Sequence, residues 1–224
     1  MSAPPGRIPF TVIGGFLGAG KTTLLQHWLR QAAGQRLAVL VNDFGAINLD
    51  AQQVVQAGAE TIALSNGCVC CAIGGDLSAA LGKVIAKQPP IDAIVIEASG
   101  VSDPRRIAQV ALVDRQLLLA GVVVLVDAAG LAAHLADPLL ADSLTRPLAH
   151  ADLVLLYHAD RCDAATLASA HAWVVQHAAA VPLLTAVQAS MPTSLTVGPS
   201  GPQASSSPSA CAPGCRPCHR VCCA

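Results

Sequence analysis

The chain has 224 residues, 53% of them hydrophobic and 3% aromatic, with a formal net charge of −1. That apolar content suits one good-sized domain, and the near-neutral charge and scarce aromatics argue against a nucleic-acid partner or an anionic membrane surface. The longest apolar run, 117–126, is roughly half a membrane span. The N-terminus lacks the pattern of a signal peptide, so a cytoplasmic protein with reduced thiols is expected.

Residues 1–6 read as an N-terminal extension. Residues 7–13 are short, apolar and followed by Gly14 and Gly15, as in a first buried strand. Residues 15–22, GFLGAGKT, fit G-x-x-x-x-G-K-[ST] between that strand and a helix expected over 22–33. In such a loop, Gly15, Phe16, Leu17, Gly18, Ala19, Gly20, Lys21, Thr22 and Thr23 turn backbone N–H groups around phosphates. The helix that follows adds its positive end. Lys21 is expected to reach the β- and γ-phosphates, and Thr22 to place its hydroxyl on Mg²⁺.

A second strand over 37–41 leads into VNDFGAINLD, the place for a nucleotide-responsive loop, with Asp43 as its first carboxylate. Next comes NGCVCC, with Cys68, Cys70 and Cys71. From these residues alone, three readings are open: a metal site, a redox device, or buried small side chains. A helix over 77–88 precedes a strand over 91–96, whose sequence AIVIEASG ends in Glu97 and then Gly100. A P-loop needs an acidic group at a neighbouring strand end to hold the metal's water shell. Glu97 is preferred over Asp127, because the E-x-x-G glycine can turn an N–H toward the γ-phosphate.

A helix over 105–115, strands over 122–126 and 153–156, a helix over 164–180 and a last strand over 181–184 complete the domain. The strands are continuous apolar runs separated by Ala/Leu-rich helices. That pattern predicts an α/β fold with a mostly parallel sheet flanked by helices. After 153–156 a guanine-specific protein carries Asn-Lys-x-Asp. Here Tyr157 and His158 stand in the Asn and Lys places, while Asp160 keeps its register and can still select guanine.

Composition changes near residue 190. Residues 7–189 form the expected P-loop domain, and 190–224 form a low-complexity Cys-rich tail expected to be disordered. Its Cys211, Cys215, Cys218, His219, Cys222 and Cys223 are either a metal reservoir, or part of a disordered low-complexity end or of an altered reading frame.

The pieces GGFLGAGKTTLL, VNDFGAINLD, SNGCVCC, EASGVSDP and VVVLVDA occur in that order between residues 8 and about 188. With them the chain resembles the CobW-type metal-homeostasis GTPases, relatives of the urease and hydrogenase accessory GTPases. The resemblance implies a P-loop NTPase fold of the SIMIBI-like GTPase kind. It implies GTP hydrolysis, with Lys21, Asp43 and Glu97 as catalytic groups and Mg²⁺ as cofactor. It also implies Zn²⁺ (or Co²⁺) on Cys68, Cys70 and Cys71, a client metalloprotein, and a homodimer around the nucleotides. Two departures stand out: the altered Asn-Lys-x-Asp element, and the tail where such proteins carry a C-terminal domain. They keep open a nucleotide-gated metal-binding module with weak or no GTPase activity.

Overall fold

Apolar strands buried on both faces set the architecture. In the computed structural model, which describes residues 6–32, 35–41, 60–63, 76–100 and 102–186, these strands join one sheet. Strand β1 is Ile8–Gly15, β2 Leu37–Val41, β3 Glu60–Ala63, β4 Ala93–Glu97, β5 Leu117–Asp127, β6 Leu153–Tyr157 and β7 Leu183–Thr185. Their order is β3-β2-β4-β1-β5-β6-β7, and every pairing among them is parallel. The chain builds outward through β2 and β3, returns at β4, then crosses β1 to lay down β5, β6 and β7.

Successive strand residues point to opposite faces. Ile13, Val39, Val95, Val123 and Leu155 bury one face against Leu24, Leu25, Trp28 and Leu29 of α1, Lys21–Gln31. Val12, Leu40, Ile96, Val124 and Leu156 bury the other face. That second layer holds α2 (Asp76–Ile85), α3 (Pro104–Val113) and α6 (Ala164–His177), through Leu81, Ile107 and Val174. Two-sided burial explains why the strands read as unbroken apolar runs rather than as alternations.

The strands and long helices of the sequence reading are present, with shifted ends. Strand β5 starts at Leu117, because a bulge near Gly121 lets the strand continue: Phe10 pairs with Leu119 and Thr11 with Gly121. Among the described residues, five short elements lie outside that reading: β3, α4 (Leu131–Leu135), α5 (Ala141–Thr145) and the 3₁₀ turns Arg146–His150 and Ala159–Arg161. Among the described residues no helix is long and apolar enough to cross a membrane.

Helix α3 is anchored by its N-cap, where Asp103 accepts from the Arg105 N–H at 2.9 Å and Pro104 occupies the first turn. Parallel pairing puts the carboxyl ends of β1, β4, β5 and β6 on one edge of the sheet. Open α/β sheets bind ligands at that edge, and here the loop after β1 lies between β4 and β5.

Candidate functional site

The loop after β1 is shaped by glycine. Gly15, Gly18 and Gly20 all have positive φ, at 130°, 77° and 90°, which side-chain-bearing residues rarely adopt. Gly20 also has no room for a Cβ, because the Tyr157 ring lies directly against it. As the N-cap of α1, Gly20 supplies no side-chain hydrogen bond. The first-turn N–H groups of α1 are therefore left to a ligand, with the positive helix end behind them.

Lys21 opens α1 with its side chain folded back over the loop. Its Nζ donates to the carbonyls of Gly15 and Phe16, both at 2.9 Å, and the residue is buried. Burial pulls the Lys21 pKa below its ordinary value, and the negative charge of Glu97 partly restores it. Thr22 is the next residue, and its Oγ1 lies 3.0 Å and 3.2 Å from the two Glu97 carboxylate oxygens. Register explains this meeting across 75 positions: Glu97 ends β4 opposite Ile13 of β1 and Val41 of β2. A hydroxyl beside a carboxylate is a hard-oxygen donor set of the kind Mg²⁺ takes alongside phosphate and water. These residues therefore fit the ion that the P-loop sequence implies.

Gly100 is buried against the loop. A Cβ there would stand 2.7 Å from the backbone N of Leu17, so a larger residue would push the E-x-x-G turn off the P-loop. Asp127, the other acidic candidate, is engaged elsewhere. Its Oδ1 is 2.9 Å from His158 Nδ1 and accepts from the Ala129 N–H at 3.1 Å.

The structure thus brings Gly15, Phe16, Leu17, Gly18, Ala19, Gly20, Lys21, Thr22, Glu97 and Gly100 together at the sheet edge. Thr23 lies in the first turn of α1. Asp160 sits apart, exposed in the 3₁₀ turn Ala159–Arg161 after β6. Asp43, Cys68, Cys70 and Cys71 lie outside the described residues, as does the tail. Among the described residues no group of three or more His, Cys, Asp or Glu side chains could hold a metal ion.

Sequence reasoning treated Tyr157 and His158 only as losses from the Asn-Lys-x-Asp pattern. Yet Tyr157 is among the largest fully buried side chains and fills the space beside Gly20. His134 sets its ring edge-on to Phe16 with centroids 4.9 Å apart. No spacing in the sequence announces either contact, because each depends on how β1, β5 and β6 lie side by side.

Comparison with known proteins agrees with this geometry. The family described as "CobW/HypB/UreG, nucleotide-binding domain" matches residues 9–184. The zinc chaperone CobW of Pseudomonas aeruginosa is 32% identical over 86% of this chain and 60% of its own length. The zinc-regulated GTPase metalloprotein activator 1 of Schizosaccharomyces pombe is 35% identical over 68% of this chain and 39% of its own. The chain thus spans 60% or less of these relatives. Among solved structures, the Zn(II)-bound YjiA GTPase from E. coli aligns with a TM-score of 0.59 and 30% identity, over 80% of this chain and 57% of that one. The hydrogenase maturation factor HypB from Archaeoglobus fulgidus shares the fold, with a TM-score of 0.54 at 18% identity over 81% of this chain and 82% of that one.

Proposed function

This chain belongs to the CobW/HypB/UreG nucleotide-binding family, and from that premise we propose that it is a GTP-hydrolysing metallochaperone. In this reading it carries Zn²⁺, or a similar divalent ion, on Cys68, Cys70 and Cys71 and passes it to a client protein in the cytoplasm. The observation that carries the nucleotide half is the meeting of Thr22 with Glu97 beside the buried Lys21. Relatives named as zinc chaperones support the metal half.

Lys21 now donates to two loop carbonyls; a triphosphate offers its ammonium stronger, anionic acceptors, and binding relieves the cost of its burial. The N–H groups from Gly15 to Thr23 hold the β- and γ-oxygens. Thr22 and Glu97 would hold Mg²⁺, which would supply positive charge against the charge developing on the phosphates. Asp43 and Glu97 orient the attacking water, and in this reading the Gly100 N–H donates to the γ-phosphate. Asp160 accepts from the N1 and N2 groups of guanine.

Three thiolates suit a soft or borderline ion and leave a fourth position open, through which a receiving protein can add its own ligand. Because the thiols lie in sequence between the Asp43 loop and Glu97, hydrolysis can change their geometry.

A nucleotide-gated metal-binding module is the second reading, favoured by Tyr157 and His158 in the Asn and Lys places. Turnover of GTP and ATP, each with and without Zn²⁺, decides between them. Slow hydrolysis specific to GTP supports the GTPase; tight Zn²⁺ binding with no turnover of either nucleotide supports the module.

A further inference from the structure

The turn after β6 is held by groups that the phosphate chemistry leaves unused. His158 has φ 60° and ψ 30°, in the left-handed region, the sole non-glycine residue with positive φ among those described. A side-chain-bearing residue stays there only when its surroundings hold it. Here the imidazole Nδ1 is 2.9 Å from Asp127 Oδ1, with both side chains largely withdrawn from solvent, at 13% and 18% exposure. On its other side the ring packs on Tyr157, with centroids 4.2 Å apart, and Tyr157 is wedged on Gly20 of the P-loop. The His158 carbonyl accepts from the Arg161 N–H at 3.0 Å and from Cys162 Sγ at 3.4 Å, closing the turn that carries Asp160.

We propose that the Asp127–His158 pair is the positioning device for base selection. By pinning the His158 backbone it sets the direction in which the turn presents Asp160 to the N1 and N2 edge of guanine. The pair takes over the architectural work of the Asn and Lys that this chain lacks. His158 does not touch the base in this proposal; it acts through Asp160. The inference rests on the reading of Asp160 as the guanine-selecting carboxylate.

The test compares affinities of the full chain for Mg²⁺·GTP, Mg²⁺·ITP and Mg²⁺·ATP. Inosine lacks the 2-amino group, so the GTP-to-ITP ratio reports engagement of the carboxylate. A hydrogen bond to a charged group predicts a ratio of about tenfold or more in the wild type. Asp160→Ala, Asp127→Ala and His158→Ala should each bring the ratio near unity, and in the Asp127 and His158 variants ATP affinity, set by the P-loop, should stay within about twofold. Asp127→Asn keeps an acceptor for His158 Nδ1–H and should restore most of the ratio. Should an alanine variant fail to fold, His158→Gly reads the same ratio, because glycine tolerates the left-handed backbone without strain yet, lacking the anchor, is not held in it; loss supports the proposal. A ratio retained in Asp127→Ala and His158→Ala, or in His158→Gly, but lost in Asp160→Ala overturns the proposal alone. No discrimination in the wild type, or discrimination retained in Asp160→Ala, overturns the reading of Asp160 and the inference with it.

Discussion

The Thr22 hydroxyl donates to the Glu97 carboxylate at 3.0 Å, tying the end of the P-loop to the end of β4. Lys21 shares this small volume, and Glu97 offsets part of the burial that lowers its pKa. The three groups therefore respond as a unit when charge arrives or leaves. Glu97→Gln keeps a hydrogen-bond acceptor for Thr22 but removes the charge. We expect the gain in GTP affinity on adding Mg²⁺ to shrink about tenfold or more and hydrolysis to fall about 100-fold. Affinity without Mg²⁺ should hold or rise. Calorimetric titration of GTP with and without Mg²⁺ checks this; an unchanged response to Mg²⁺ would remove Glu97 from the metal site.

Lys21 supplies a pH-dependent consequence. Its folded pKa lies below the ordinary 10.5, chiefly through burial. The fold therefore disfavours the charged form, and the stability attached to this group is fully present above 10.5 and lost as pH falls through the lowered value. Relative to Lys21→Met, the nucleotide-free wild type should gain stability as pH rises toward 10.5. Saturating Mg²⁺·GTP should cancel that trend, because phosphates favour the charged ammonium. Thermal unfolding of both proteins along a pH series tests the sign, and a parallel course for the two would contradict it.

Gly20 and Tyr157 test the packing beneath the loop. Gly20→Ala demands a strained φ of 90° and drives a methyl group into the Tyr157 ring. A loss of about 2 kcal/mol or more is expected from strain and overpacking together. Tyr157→Ala removes a fully buried aromatic ring and should cost about 3–5 kcal/mol by itself. The double variant should then be more stable than the sum of the two losses implies, since the ring no longer opposes the methyl. Denaturant titration of the four proteins measures this coupling; strict additivity would mean that the ring and the loop do not press on one another.

Much of this could be read in the sequence, and the reasons differ by element. GFLGAGKT announces itself because phosphate binding fixes both residue type and spacing, and Glu97 follows from its place at a strand end. Strand β3 has only four residues, one of them Glu60, so it offers no apolar run to detect. Helices α4 and α5 span five residues each, too short for a helical period to emerge. The Asp127–His158 pair and the Tyr157 ring on Gly20 are invisible in one dimension. The first needs the register that sets Asp127 beside Tyr157, and the second needs β6 to lie two strands from β1 on the α1 side of the sheet. Asp43 and the three thiols lie outside the described residues, and their roles remain those proposed from the resemblance and the relatives.

The claim that nucleotide chemistry and metal carriage meet in this chain is tested most directly by Zn²⁺ binding. Stoichiometry and affinity, measured by chelator competition, are compared for the wild type and the Cys68/Cys70/Cys71→Ser variant, each with Mg²⁺·GTP and with Mg²⁺·GDP. The account predicts that the variant loses one Zn²⁺ per chain and that the affinity of this site in the wild type differs between the two nucleotides by about fivefold or more. Equal stoichiometry in the two proteins, or equal affinity in the two nucleotide states, would contradict it.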